Sequence, residues 1–175
     1  MNTAAISDDV ATGDFSEALT LIGTSLKRTT PEFTVNIDMI RCYCASIEDS
    51  NPIYWNDEHT NNIWGGGVSP PGMLPTWLMP MPWRPDGPQT RSAMLTTVPL
   101  PGKALINQLS DVEFLSPIRT GDRISAADKL LDISPLKDTR VGRGHFVTSE
   151  STIFNQHNEI RARWINIGLR YVPNP

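Results

Sequence analysis

Between Trp64 and Pro88 the chain reads WGGGVSPPGMLPTWLMPMPWRPDGP, with seven prolines, five glycines and three tryptophans. Proline removes a backbone donor and collides with the preceding helical turn, so no long regular helix runs through this stretch. Yet Met73, Leu74, Trp77, Leu78, Met79 and Met81 are too apolar for a solvated linker. The spacing predicts a short, buried, irregular helix ending near Met79. Ser69 is placed to cap it, with Pro70 at the first helical position. Pro75 then kinks the helix or delays its start. Such a segment has to be covered, and the residues that can cover it follow in the chain.

Residues 104–109, 111–118, 122–133, 144–155 and 160–171 carry Val, Ile, Phe and Thr in partial alternation, the mark of half-buried strands. Turn signals separate them at 117–121, 135–143 and 156–159, which predicts an antiparallel meander. Upstream, apolar residues over 15–26 predict a short amphipathic helix broken by Gly23. Residues 33–35 are briefly strand-like. Asn36 then caps a better helix with Ile37, Ile40, Cys44 and Ile47 on one face. That helix stops by Ser50, because Asn51 precedes Pro52 and the residue before proline avoids the helical region. Residues 1–13 read as a flexible arm and 14–175 as one domain. The fold class is α+β, a sheet wrapped around one helix.

Charge and composition narrow the function. The 175 residues carry a net charge of −4 and no basic run longer than Lys27-Arg28, which excludes an electrostatic nucleic-acid binder. No apolar run approaches the ~18 residues of a membrane span. The polar, acidic start MNTAAISDDVATGD is unlike a signal peptide, and a cytoplasmic protein is expected. Cys42 and Cys44, the two cysteines, are too few for a disulfide framework and form no C-x-x-C pair. With His59, His145 and His157 they have no ligand spacing, so no metal is expected. His145 and His157 are assigned to packing or surface.

Two short stretches carry chemistry. In Tyr43 to Asp57, YCASIEDSNPIYWND, a helix delivers Asp49 at its C-terminal end and Asn51-Pro52 turns the chain. Tyr54 follows five residues after the acid. A carboxylate at the negative end of a helix dipole is poorly placed for a purely structural role, although Asp before a turn also forms Asx-turns. The second stretch is Gly65-Gly66-Gly67-Val68-Ser69-Pro70-Pro71. Its glycines let backbone approach a ligand, and their N–H groups can aim at one oxygen. A flexible turn explains the same glycines.

Together, Asp49-Ser50-Asn51-Pro52-Ile53-Tyr54 and Gly66-Gly67-Val68-Ser69-Pro70-Pro71-Gly72-Met73-Leu74 resemble the D-x-N-P-I-(H/Y) and G-G-x-x-(A/S)-P-P-x-x-L elements of the MaoC-like hydratase/dehydratase superfamily. The branch is similar to its FAS1-type N-terminal dehydratase domain, which has a hot-dog fold. FLSPIRTGD at 114–122 and GRGHFVTSE at 142–150 extend the resemblance over roughly residues 20 to 172.

The resemblance implies syn hydration of a 2-enoyl thioester on CoA, or the reverse dehydration. It implies no cofactor, CoA entering as part of the substrate. Active members hold the water with an Asp and a His in D-x-N-P-x-H, and backbone N–H groups polarise the thioester. Asp49 and Asn51 match, but the histidine position is Tyr54 and the glycine usual before the acid is Glu48. A phenol with a pKa of about 10 donates hydrogen bonds at neutral pH but is a poor base. Tyr54 therefore resembles the pocket-shaping half of paired hot-dog hydratases, whose other subunit supplies the intact Asp/His dyad. The site expected is Asp49 and Tyr54 at the reacting centre, with Asn51, Gly66, Gly67, Val68, Met73 and Trp77 against the substrate.

The string P-P-x-x-L-x-x-W-x-M-P resembles subunits of steroid side-chain hydratases, which implies a bulky apolar acyl-CoA. Arg140 and Arg143 flank a turn that could meet CoA phosphates or stand as a solvated hairpin. Two other readings stay open: a homodimeric hydratase using Asp49 with Tyr54, and a non-catalytic acyl-thioester-binding module.

Overall fold

The β-type runs of the C-terminal half form one antiparallel sheet, in the spatial order 104–114, 160–173, 142–154, 125–133. A computed structural model describes residues 14–29, 32–81, 83, 85 and 94–174, so the expected arm 1–13 and residues 86–88 of the proline-rich stretch lie outside the described residues. The strands are β1 (Ala104–Phe114), β2 (Ser125–Ile133), β3 (Lys137–Thr139), β4 (Gly142–Phe154) and β5 (Ile160–Pro173). The helices are α1 (Ser16–Thr20), α2 (Ile37–Ser46), α3 (Pro52–Trp55), α4 (Asp57–Trp64), α5 (Leu74–Leu78) and α6 (Met94–Thr97), and a 3-10 turn over Pro71–Met73 leads into α5. No helix among the described residues is long and apolar enough to cross a membrane.

Period-2 patterning sets which face is covered. Along β4, His145, Val147, Ser149, Ser151 and Ile153 are buried while Phe146, Thr148, Glu150, Thr152 and Phe154 are half-buried. The covered face wraps the central segment. Met73, Leu74, Trp77 and Leu78 share one core cluster with Ile124 and Ala126, with Ile153 of β4 and with Ala162 of β5. A second cluster gathers Ala18, Met94, Val98, Leu100, Leu130, Ile133 and Val147.

The prolines explain the central segment's shape. Pro70 is extended (φ −55°, ψ 140°), and the helix starts one residue later than expected, as a 3-10 turn. Pro75 falls within the first two positions of α5, where its missing N–H costs nothing. Proline thus delays the helix rather than kinking it. Met79 is extended (φ −69°, ψ 137°) because Pro80 follows.

Four expectations change. The helix predicted over 15–26 ends at Thr20, and beyond it the chain runs beside β2. Gly23 N–H donates to the Leu130 carbonyl (2.8 Å), Leu26 N–H to Asp128 (2.8 Å) and Thr29 N–H to Ala126 (2.9 Å). Backbone pairing to an open sheet edge outweighs the helical periodicity there. The runs 104–109 and 111–118 are one strand, β1, with a register shift between Asn107 and Leu109. The strand expected from Asp122 starts at Ser125. Asp122 is held otherwise, its carbonyl accepting from Val35 N–H (2.8 Å) and its Oδ2 from Arg119 N–H (2.9 Å). The meander is broken once, since β1 pairs with β5 and not β2. The chain between them crosses to the far edge, burying Ile118 and Ile124 on the way.

Inward and outward neighbours on β2 provide the test. Leu130 is 0% exposed and Leu131 37%. Leu130→Ala should cost about 3 kcal/mol in urea unfolding, and Leu131→Ala under about 1 kcal/mol. Equal losses would contradict the assigned face.

Candidate active site

The acid-bearing turn follows from how α2 ends. Asp49 N–H donates to the Cys44 carbonyl (2.8 Å) and Glu48 N–H to the Ala45 carbonyl (3.3 Å), the paired bonds of a Schellman cap. That cap needs a left-handed residue. Glu48 fills it with φ +56°, at the position where the family resemblance expects glycine. Asp49 Oδ1 then accepts the Asn51 N–H (2.9 Å), and Asn51 Oδ1 accepts the Ile53 N–H (3.2 Å). Asn51 thereby caps α3, with Pro52 at its start. Asn56 caps α4 in the same way through His59 N–H (2.9 Å). Neither short helix was anticipated, although Asn-Pro and Asn-Asp-Glu are start signals.

Tyr54 lies on α3, 7% exposed, in the cluster that also holds Val68, Met73 and Trp77. Burial pushes its phenol above the ordinary tyrosine value, and the nearby charge of Asp49 pushes the same way. Burial also raises the Cys44 thiol, again with Asp49 contributing. Arg41 reaches across from α2, its Nε donating to the Tyr54 carbonyl (3.2 Å) and its guanidinium pairing with Asp57 (2.8 Å).

Asp49 opens on the other side. Cys44, Ala45, Glu48, Asp49, Ser50, Pro52, Trp55 and Asn56 line a shallow groove of about 530 Å³. Trp55 is the residue that the sequence reading passed over. Its indole N–H donates to the Asp49 carbonyl (2.7 Å), fastening the acid's turn to α3, and its ring walls the groove. The aromatic next to Tyr54 was its signal.

The glycines form the second element. Gly65 (φ +69°) ends α4, and Gly66 (φ +146°) continues a path open to glycine. At Gly67 a Cβ would stand 2.7 Å from Thr120 Cγ2, so any larger residue there requires the Thr120 side chain to move. Val68 bridges to Arg119, with Ser69 N–H on the Ile118 carbonyl (2.8 Å) and Thr120 N–H on the Gly67 carbonyl (2.9 Å). Among the described residues the N–H groups of Gly66, Gly67 and Val68 donate to nothing.

The expected site residues therefore fall into two groups. Asp49 lies on the groove, whereas Tyr54, Val68, Met73 and Trp77 are together in the core behind it. Met73 and Trp77 are 2% and 1% exposed, and the Trp77 indole N–H is taken by Ser69 Oγ (2.8 Å). Asn51 acts on the turn, as a cap. Of the two turn arginines, Arg143 pairs with Asp138 across the hairpin (2.7 Å).

Two results should follow. At Glu48, substitution by the β-branched Val should lower stability by about 1–2 kcal/mol, while Glu48→Gly should match the parent or exceed it. A Val variant as stable as the parent would contradict the left-handed cap. Tyr54 gives the second. The unfolded chain releases this phenolic proton near pH ~10, whereas the folded protein holds it to higher pH. The stabilisation is full below pH ~10 and is lost as pH rises from there through the folded value. Tyr54→Phe should flatten that part of the urea-midpoint profile, and an unchanged profile would refute it.

Comparison with known proteins identifies the family and the fold. The family model described as "FAS1-like, dehydratase domain region" matches residues 20–162. A probable enoyl-CoA hydratase alpha subunit from Thermomonospora curvata is 30% identical over 138 residues, covering 74% of this chain. The chain spans 43% of that relative's length. A chain of the ChsH1-ChsH2 complex from Mycobacterium tuberculosis superposes with a TM-score of 0.73 at 21% identity, covering 93% of each chain. The MaoC-like dehydratase from Rhodospirillum rubrum gives 0.63 at 21% identity, covering 93% of this chain and all (100%) of the other. The sheet around a short helix is the hot-dog fold that the motifs implied. By the match over residues 20–162, the chain belongs to the FAS1-like dehydratase-region family.

Proposed function

We propose that this chain is the pocket-shaping subunit of a heteromeric 2-enoyl-CoA hydratase (in reverse, a 3-hydroxyacyl-CoA dehydratase) acting on a bulky apolar acyl group. The observation that carries the reading is Tyr54, buried and with its phenol pushed above its ordinary value. Hydration needs a base to take a proton from water as the oxygen bonds to the β-carbon, and a donor for the α-carbon. A phenol that stays protonated at neutral pH can orient a water or a carbonyl but cannot take that proton. A second hot-dog subunit with an intact Asp/His dyad completes the chemistry, and the kinship to a protein called an alpha subunit and to a two-component complex supports it.

This chain's own groups have defined tasks in that scheme. Asp49, on the open groove, is an auxiliary acceptor for water. The unused N–H groups of Gly66, Gly67 and Val68 suit a thioester oxygen, where they would stabilise enolate charge. Met73 and Trp77 back the pocket wall, while Met79 and Trp83, 60% and 70% exposed, offer apolar surface beyond α5 to a wide acyl group. The proline-shortened helix and the resemblance to steroid side-chain hydratase subunits favour a steroid-derived acyl chain.

The test is kinetic. The chain would be purified together with a hot-dog subunit that carries D-x-N-P-x-H. The complex should prefer a steroid side-chain enoyl-CoA over crotonyl-CoA by at least about tenfold in kcat/KM. Asp49→Ala should cost less than about tenfold, whereas removing the partner's histidine should cost about 10²–10⁴-fold. A preference for crotonyl-CoA, or the larger loss at Asp49, would overturn the assignment.

A further inference from the structure

The covered face of the sheet is not apolar throughout. The first core cluster holds one end of it, through Ala126, Ile153 and Ala162. The second holds the other, through Leu130 and Val147. Between the two lies a polar band. Residues opposite each other on a ladder share a face. Asp128, Ser151 and Trp164 therefore form one row across β2, β4 and β5. Ser149, Asn166 and Ser110 form the next row, across β4, β5 and β1. Alternation along β4 puts Ser149 and Ser151 on the same face as Val147 and Ile153.

Hydrogen bonds inside the band account for most of it. Ser151 Oγ donates to Asp128 Oδ1 (2.6 Å). The Trp164 indole N–H donates to Ser110 Oγ (2.5 Å), and the Ser110 proton goes on to Asn166 Oδ1 (3.4 Å). That chain of donors fixes the Asn166 amide with its oxygen used and its NH2 free. Among the described residues, Asn166 Nδ2 and Ser149 Oγ have no hydrogen-bond partner. Ser149 is 3% exposed. A hydroxyl at that depth is costly unless something bonds to it, and for packing alone an alanine would serve.

The second row is graded from open to closed. Ser110 is exposed, Asn166 half-buried and Ser149 buried, and beyond Ser149 stands Leu130, wholly buried. Trp164 walls the row on one side, and it packs against the cluster that holds Tyr54, Val68 and Trp77. The row is thus an inlet with an apolar wall and a polar floor, separated by one side chain from the packing behind the motif tyrosine. Both unused groups on the floor are donors, which suits an acceptor oxygen. We propose that this row is a subsite for the far part of the acyl group, where Ser149 and Asn166 hold a carbonyl or hydroxyl oxygen. The substrate is then an oxygenated bulky acyl thioester and not a pure hydrocarbon one. This rests on the acyl-thioester part of the function proposed above and narrows its substrate class.

The probes are two saturated polycyclic acyl-CoA thioesters, which cannot be hydrated. They are identical except for a ring ketone at the end far from the thioester. Each is titrated calorimetrically into the full-length chain, alone and together with a hot-dog subunit that carries D-x-N-P-x-H. The ketone should bind at least about tenfold more tightly, the worth of two hydrogen bonds. Ser149→Ala and Asn166→Ala should each remove at least about threefold of that preference. Ser149→Ala should also unfold at the same urea concentration as the parent or a higher one, because the hydroxyl it removes has no partner in the free protein. A lower midpoint would mark Ser149 as structural and overturn the subsite. Equal affinity for the two thioesters, a preference that survives both substitutions, or binding of neither thioester would overturn it as well. A ketone preference carried by Ser149 and Asn166 in a complex that hydrates no 2-enoyl-CoA would sink the catalytic reading and leave the subsite standing.

Discussion

Trp77 donates its indole proton to Ser69 Oγ at 2.8 Å, and much of the architecture hangs from that bond. Trp77 is on the central helix and is almost wholly buried, so its polar N–H needs a partner inside the protein. Ser69 stands just after the glycine loop, and its own N–H is committed to Ile118 in the crossover between β1 and β2. One indole thus ties together the helix that the sheet encloses, the loop with unused N–H groups and the chain's passage from one sheet edge to the other. Replacing the indole by an aliphatic group removes both the volume and the tie.

The acid's turn depends on the same body of packing. Tyr54, Val68 and Trp77 share a cluster, so α3 is held against the sheet by the side chain that stands where the family motif has histidine. In the function proposed above, the buried phenol packs at that position and keeps a polar tip there in place of a base. The groove survives on the other side of the turn because Trp55 and the Schellman cap hold Asp49 outward. An acid whose partner position in the motif is a tyrosine fits the paired-subunit function proposed above.

Much of this was legible in the residues. Asn36 as a cap, the end of α2 before Asn51-Pro52 and a short helix ending at the prolines all rest on local chemistry that neighbours in sequence determine. What escaped was set by distant partners. Residues 23–29 have helical periodicity but are drawn out by the open edge of β2, and the β1–β5 pairing cannot be seen from alternation alone. At the site, the D-x-N-P motif located Asp49 and Asn51. Met73 and Trp77 were expected against substrate because apolar residues near a motif read alike whether they line a pocket or fill a core. Burial places them in the core.

The central claim is that this chain holds an acid at its turn but no base. The most direct measurement is steady-state hydration of 2-enoyl-CoA substrates, from crotonyl to steroid side-chain thioesters, by the purified chain with no other subunit present. The account predicts no turnover above the uncatalysed rate. Turnover by the chain alone that disappears in Asp49→Ala would contradict it, and would make Asp49 with Tyr54 a working pair.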